Sequence, residues 1–353
     1  MCAEPRRRRG IYSVTVAIAA LFAGLLIGEG ITRALHVAPP APPPHGVNAL
    51  DPWLPYKPKA FSIARGTSAS GEFTYEYRHN SDGLRDVEHT LRSDSTFRIL
   101  GLGDSFTFGI GAPFDSTYLE LLETSLNKRE GAHQRVEIIK AGIPRFFPEP
   151  ERLFLEHYGA RYSPQIVLVG FVPNDIVDTH LGMDDIFVDE SGFLRTRQGK
   201  TLGAFGEVLY RRSALARIVL PEATMLMTRF AAPHADELYG KDGPYEADWI
   251  TVQNEFARMN SLAKGMGAKL VIVHIPQRGP RGLERAYPGL RLGSWARARG
   301  IGFVDALPAI LNAEVKGANL YWQKDGHCNP RGYAVIAGAI EQYLAGQDMR
   351  KSY

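Results

Sequence analysis

Cysteine is scarce in this chain: 353 residues contain only Cys2 and Cys328. No CxxC pair and no zinc-type ligand spacing occurs, so neither a metal nor another cofactor is predicted. Cys2 precedes an apolar segment and Cys328 lies far beyond it, which argues against an intrachain disulfide. Cys2 is also misplaced for a lipoprotein cysteine.

An excess of charge of one sign is missing as well. The net charge is only +3, and Arg6–Arg9 supply four of the positive charges, so the rest is close to neutral. A nucleic-acid-binding protein would need a basic face, and that class is excluded. With 44% hydrophobic and 22% charged residues, the composition is that of an ordinary globular protein.

The N-terminus contains the one long uncharged apolar run, Gly10–Gly28. Roughly 18 or more apolar residues can span a bilayer as a helix, and flanking arginines stay in the cytoplasm. We predict a basic cytoplasmic segment (residues 1–10) and a single-pass anchor (residues 11–28) in the cytoplasmic membrane, with the rest extracytoplasmic or periplasmic. A cleaved signal peptide is the alternative, but no good A-x-A site is present, since Pro39 and Pro40 follow Ala38.

Two short regions follow the anchor. Residues 38–50 contain Pro39–Pro44 and are typical of a stiff, extended linker. Residues 51–96 are predicted to form a small β extension, because Glu72–Arg78 alternates and is rich in aromatics. Asn80–Gly83 is a turn signal in the same region.

From residue 97 to residue 347 short apolar runs alternate with helical stretches, which predicts an α/β domain. Such alternation is typical of a doubly wound, flavodoxin-like parallel sheet with helices on both faces. Five strands are predicted, at Phe97–Leu102, Val136–Ile139, Ile166–Phe171, Lys269–Ile275 and Ile301–Val304. Five helices are predicted, at Ser116–Arg129, Glu149–Arg161, Asp248–Met266, Leu290–Arg299 and Pro330–Ala345.

An insertion, residues 178–247, interrupts the alternation between the third and fourth strands. It contains a predicted hairpin, Ile186–Leu194, and a helical stretch, Leu202–Phe230. A long insertion at this edge of a sheet is often a lid or binding element, and structural padding is the alternative.

Open α/β sheets bind their ligands beyond the carboxyl ends of the strands. There this chain has Ser105 after strand one, Gly142 after strand two and Asn174 after strand three, with Asp325 and His327 just before the last helix. A serine hydroxyl needs a base, and the base needs an orienting acid, which His327 and Asp325 can supply. The N–H groups of Ser105 and Gly142 and the amide of Asn174 can stabilise an oxyanion.

These residues resemble the SGNH (GDSL-like) hydrolases. Gly103-Asp104-Ser105 matches their first block, Gly142 and Asn174 the second and third, and Asp325 and His327 the last. The resemblance implies a serine esterase that acts through an acyl-serine intermediate. Ser105 does not lie in a G-x-S-x-G nucleophile elbow, which disfavours the α/β-hydrolase fold. A flavin-binding protein of this topology is also disfavoured, because Asp104 would repel the flavin phosphate.

The sequence departs from the family pattern in two places. Asp325 stands two residues before His327 rather than three, so Asp305 after strand five is an alternative orienting acid. The third block has Pro173 before Asn174 instead of the commoner Gly-x-Asn-Asp. Outside the motif set, His274 is interpreted as structural and Cys328 as a packing residue, while Tyr321-Trp322 either lines the pocket or buries a loop.

The resemblance also implies a substrate, because relatives in such a location often remove O-acetyl groups from polysaccharides. An acylated extracytoplasmic glycan or lipid is therefore the expected partner, with no nucleic acid. Three alternatives stay open: an O-acyltransferase with the same residues, a lipase or lysophospholipase, and a non-catalytic glycan-binding or scaffold protein.

Overall fold

The computed structural model describes residues 5–90, 96–128, 134–197, 203–231, 238–279, 282–283 and 287–347. It begins with a helix over Pro5–Ala34, of which Tyr12–Ala34 is long and apolar enough to cross a membrane; most of its residues are exposed. A signal sequence would have the same properties. The helix thus contains the predicted span 11–28 and extends beyond it.

The extension consists of two antiparallel pairs, Asn48–Ala49 with Lys57–Pro58 and Ile63–Thr67 with Thr74–Arg78. The strand expected at Glu72–Arg78 is therefore present from Thr74. The extension is attached to the α/β part by Arg85, which is 4% exposed and donates hydrogen bonds to the carbonyls of Phe108, Gly109 and Ala112.

The centre of the molecule is a five-stranded parallel sheet, as predicted. In chain order its strands are β1 (Thr96–Gly103), β2 (Arg135–Gly142), β3 (Ile166–Phe171), β4 (Lys269–His274) and β5 (Gly302–Asp305). They lie side by side in the order β5-β4-β3-β1-β2, the doubly wound arrangement. Both β1 and β3 are buried along their whole length, and apart from Thr96 and Arg98 of β1 they are apolar rather than alternating.

Helices cover both faces of the sheet, and each predicted helix is present with ends shifted by a few residues. They span Tyr118–Lys128, Pro148–His157, Asp248–Gly265, Tyr287–Arg297 and Pro330–Gly346. The sequence prediction missed three further helices, Ser105–Phe108, Asn174–Leu181 and Leu307–Val315. Two apolar clusters, one on each face, contain Phe171 and Trp249 on one side and Tyr118 and Tyr333 on the other.

The insertion has the predicted hairpin, with strands Ile186–Val188 and Leu194–Thr196. Two helices follow, Gly203–Arg212 and Ala214–Ala231, while Leu202, the predicted helix start, lies outside the described residues. The second helix contacts the N-terminal helix: the Glu29 carboxylate accepts bonds from Ser213 Oγ at 2.7 Å and from the N–H groups of Ala214 and Leu215. Glu29 thereby caps the second insertion helix.

Four minor elements are also present in the described part. Single-turn 3₁₀ helices lie at Phe114–Ser116, Gly159–Tyr162 and Met183–Asp185. A two-residue hairpin after β4 pairs Arg278–Gly279 with Gly282–Leu283.

Candidate active site

Ser105 lies at the carboxyl edge of the sheet, on the turn that follows β1. It is the first residue of the short helix Ser105–Phe108, and Asp104 caps that helix by accepting a 2.8 Å bond from the Phe106 N–H. Gly109 ends the helix in the left-handed region, with φ of 84°. The strand end and the cap together fix the position of the Ser105 hydroxyl.

His327 lies within hydrogen-bond distance of Ser105. Its Nε2 is 2.8 Å from Ser105 Oγ, and its Nδ1 is 2.5 Å from Oδ1 of Asp325. The alternative orienting acid, Asp305, instead bonds Nδ1 of the buried His274 at 2.8 Å. The structure therefore brings Ser105, His327 and Asp325 together and keeps Asp305 with another imidazole.

The local backbone explains how an acid two residues before His327 reaches its ring. Gly326 has φ of 85°, a conformation that glycine adopts at little cost. The loop closes on itself, because the Trp322 N–H donates to the His327 carbonyl at 2.9 Å and the Gly326 N–H donates to the Trp322 carbonyl at 3.1 Å. This tight turn points the side chains on either side of Gly326 toward each other.

Gly142, at the end of β2, is paired in register with Gly103, and a side chain there would not fit. A Cβ atom at Gly142 would lie 2.3 Å from the Phe108 backbone nitrogen and 2.5 Å from the Thr107 carbonyl carbon. The glycine is thus required for close approach of β2 to the turn that carries Ser105. Its role as an oxyanion donor remains a prediction.

Asn174 begins a helix beyond β3 and lies beside the same turn. Its Nδ2 donates to a carboxylate oxygen of Asp178 at 3.2 Å and to one of Asp104 at 3.5 Å. Both distances are long for an amide–carboxylate bond. Its Oδ1 is buried without a partner among the described residues. The amide stands next to the nucleophile, and its donation to an oxyanion also remains a prediction.

Three carboxyl groups beneath Ser105 are buried, a feature that sequence patterns did not indicate. Asp104 and Glu151 are 1% exposed and Asp175 is fully enclosed. Burial raises the pKa of Asp104, and burial together with the neighbouring carboxyls raises the pKa values of Glu151 and Asp175 well above the ordinary range. Glu151 and Asp175 therefore hold their protons more tightly than exposed acids do.

Asp178 connects this cluster to the surface. Burial raises its pKa to about 6, although Arg145, whose Nη2 is 3.2 Å from its Oδ1, acts in the opposite direction. Among the residues that the structure describes, no group of His, Cys, Asp and Glu has a metal-binding arrangement.

The other residues singled out in the sequence lie outside the group formed by Ser105, His327 and Asp325. His274 is fully buried against Asp305. Cys328 is a free, fully buried thiol whose pKa burial raises, which disfavours a thiolate nucleophile. Tyr321 is buried and donates its hydroxyl to the Pro276 carbonyl, whereas Trp322 lines a cavity.

The extension forms walls of two cavities next to this loop. One, of about 270 Å³, reaches Asp325, and the other, of about 760 Å³, lies between the hairpin and Trp322. Aromatic side chains of the extension line both, namely Phe73, Tyr75 and Tyr77. The sequence placed the extension beside the domain but gave no sign that it borders the site.

No known protein-family model matches the chain, and no characterised protein matches its sequence. Solved structures with a similar chain path include a GDSL-like lipase from Bacteroides thetaiotaomicron (15% identity, 75% of this chain and 93% of that one, TM-score 0.40). An acetylxylan esterase from Geobacillus stearothermophilus has 13% identity over 71% and 94% of the two chains, with a TM-score of 0.42. The esterase EstA from Pseudoalteromonas sp. has 14% identity over 71% and 97%, with a TM-score of 0.40. At these values the inference of activity depends on the site geometry.

Proposed function

We propose that this chain is a serine esterase that removes an ester-linked acyl group through an acyl-Ser105 intermediate. The observation that carries the proposal is a pair of contacts through one imidazole: Ser105 Oγ–His327 Nε2 at 2.8 Å and His327 Nδ1–Asp325 Oδ1 at 2.5 Å. A hydroxyl, an imidazole and a carboxylate in this order form the arrangement that activates serine for acyl transfer. A packing role alone does not require this alignment.

In the acylation step, the Ser105 oxygen attacks the ester carbonyl carbon while its proton passes to Nε2 of His327. Asp325 holds Nδ1–H and stabilises the imidazolium that forms. The tetrahedral intermediate then collapses, the bond to the alcohol oxygen breaks, and His327 returns the proton to that oxygen. In the second half, water attacks the acyl carbonyl carbon and gives its proton to His327. The bond to Ser105 Oγ then breaks, the carboxylic acid leaves, and His327 returns the proton to Ser105 Oγ.

The oxyanion needs donors fixed before the reaction begins. The N–H groups of Ser105 and Gly142 and the Nδ2 group of Asn174 are the proposed donors. Because Asn174 Nδ2 makes only long contacts to Asp104 and Asp178, a nearby oxyanion can compete for its hydrogens. The bonds to the two carboxylates keep the amide on the correct side until substrate arrives.

The proposed substrate is an O-acetyl or other acyl ester of an extracytoplasmic glycan or lipid. Two features support it: the exposed apolar helix Tyr12–Ala34, which would place the site near a membrane, and the aromatic cleft that reaches Asp325. A concave, largely apolar pocket with few polar groups is the usual form of a ligand site.

The enzyme proposal is tested with the full chain in detergent and a fluorophosphonate probe. Wild type should be labelled at Ser105, and Ser105→Ala should lose labelling together with about 10³-fold or more of its esterase rate. Absence of labelling in wild type would refute the enzyme proposal and favour a non-catalytic binding protein. Products from an acetylated glycan, a long-chain ester and an added alcohol acceptor then separate esterase, lipase and acyltransferase.

The proposed location is tested separately. A topology reporter fused after the last residue should be active outside the cytoplasm if the arginine-flanked helix is an anchor with its N-terminus inside. Activity of the reporter in the cytoplasm would refute the extracytoplasmic substrate. Immunoblotting with the same fusion distinguishes an intact anchor from a cleaved signal by size.

A further inference from the structure

The loop that carries Asp325 is held by a single carboxylate from the extension. Glu72 accepts bonds from three consecutive backbone N–H groups: that of Gln323 at 2.8 Å, that of Lys324 at 2.9 Å and that of Asp325 at 2.8 Å. The two partners are 253 positions apart for the Asp325 bond, so this is a tertiary contact. Charge-assisted bonds of this length are stronger than neutral ones.

The position of Glu72 is itself fixed by its own turn. Its N–H donates to Ser68 Oγ at 3.1 Å, and the next residue, Phe73, packs on Trp322 with ring centroids 5.2 Å apart. Trp322 in turn donates its indole N–H to the Gly111 carbonyl at 2.9 Å. The carboxylate is therefore presented from a hairpin that is docked against the base of the same loop.

We infer that Glu72 is a positioning residue of the active site, which acts through Asp325 on His327. This inference rests on the proposed esterase function and assigns the extension a part in it. Only Gly326 separates Asp325 from His327, so the contact between their side chains depends on the backbone conformation of this short loop. Asp325 can therefore orient the imidazole only while that backbone is held in place. Three converging N–H groups on an irregular loop form a concavity that favours a negative charge, and Glu72 supplies that charge.

The consequence is specific to turnover. If the loop relaxes, the Asp325 carboxylate moves relative to Nδ1 of His327, while Tyr75 and Tyr77, which line the cleft that reaches Asp325, stay held by the strand pair of the extension. Misplacement of a catalytic group by about 1 Å can cost about 10²-fold in rate. Loss of Glu72 should therefore lower kcat and leave KM almost unchanged.

The test compares Glu72→Gln with wild type in the full chain, with a small aryl ester as substrate. We expect kcat to fall about 10- to 100-fold and KM to stay within about twofold. Glu72→Asp keeps the charge but withdraws it by one methylene group, and its kcat should lie between those of wild type and Glu72→Gln. Thermal unfolding of each variant gives the folded fraction to which rates are normalised.

Glu76→Gln is the matched control. Glu76 lies on the same hairpin, and within the described part of the chain it pairs with two surface arginines, Arg65 and Arg78, so the same change of charge occurs away from the loop. Its kcat should equal that of wild type. A general effect of the hairpin's charge would instead lower both variants alike and would overturn the inference.

A double-mutant cycle with Asp325→Asn separates positioning from stability. If Glu72 acts through Asp325, the double variant should be no slower than Asp325→Asn alone, since residues that act as a unit are non-additive. Additive losses, or a Glu72→Gln kcat within twofold of wild type, would refute the inference. An inactive and unlabelled wild type would refute the proposed function instead, so the two failures are distinct.

Discussion

Replacing Asp325 by asparagine is the sharpest test of the site geometry. The substitution keeps the size of the side chain but offers Nδ1 of His327 an amide in place of a carboxylate. In a serine triad this change leaves the histidine in the wrong tautomer and removes the charge that stabilises the imidazolium. The variant should remain folded, since Asp325 lies on a loop at the edge of the site.

The magnitude follows from the exposure of the pair. A fully buried triad acid is worth about 10⁴-fold in kcat. The side chains of His327 and Asp325 are 21% and 17% exposed, so water screens part of the interaction. A loss of about 10³-fold is therefore expected, which corresponds to about 4 kcal/mol of transition-state stabilisation.

The assay is steady-state hydrolysis of a small aryl ester by the full chain, with fluorophosphonate titration of active sites. Asp305→Asn is the matched control, because Asp305 also bonds a histidine Nδ1 at 2.8 Å, but that of His274. Its kcat per active site should stay within about threefold of wild type. A larger loss for Asp305→Asn than for Asp325→Asn would show that the orienting acid is wrongly assigned.

Three further outcomes are expected. Gly142→Ala should destabilise the fold by about 1–3 kcal/mol, seen as a lower urea midpoint, because its Cβ would meet the Phe108 backbone nitrogen at 2.3 Å; an unchanged midpoint would contradict the close packing. Arg85→Ala should lower the free energy of unfolding by about 3 kcal/mol by leaving three loop carbonyls without their donor, and a loss below about 1 kcal/mol would show that water replaces it. Asp178, with a pKa of about 6 when folded, binds its proton more tightly in the folded than in the unfolded chain. Its contribution to stability is thus complete below about pH 4 and is lost as the pH rises through 6, by about 3 kcal/mol. Asp178→Asn should flatten the pH dependence of the free energy of unfolding in that window. An unaltered slope would show that other acids cause this pH dependence.

The central sheet could be predicted because its strands are enclosed on both faces. Strand β3 is apolar throughout and β1 is apolar apart from Thr96 and Arg98, while the helices between them have amphipathic patterns. The helix Leu307–Val315 was missed because it follows β5 after a single residue and begins with Leu307-Pro308, which gives no N-cap signal. Its apolar sequence is equally compatible with the end of a strand.

The candidate site could be predicted as far as it depends on strand ends. Ser105 and Asn174 follow predicted strands and His327 precedes the last predicted helix, so the topology brings the three residues together. Glu72 and Glu151 could not be predicted. Glu72 acts across 253 positions on backbone groups, which leave no trace in side-chain spacing, and Glu151 lies in a helix that otherwise has an ordinary amphipathic pattern.

The sequence already favoured Asp325 over Asp305, and the structure shows how the short spacing still brings Asp325 to His327. Both acids stand near a histidine at the same edge of the sheet, and the two-residue gap before His327 was the one departure that left Asp305 as an alternative. The left-handed conformation at Gly326 decides the matter, because it turns Asp325 back toward the ring of His327.

The distance along the chain between the reacting groups has a consequence for folding. Ser105 and His327 are 222 positions apart, and Glu72 lies 253 positions before Asp325, whose backbone N–H it binds. Contacts of such sequence separation carry a large loop-closure entropy and slow the folding of a chain. Nucleophilicity at Ser105 therefore appears only when the last segment has docked. In a refolding experiment, the rate at which Ser105 becomes reactive toward the fluorophosphonate therefore measures completion of the native topology. It does not measure formation of secondary structure.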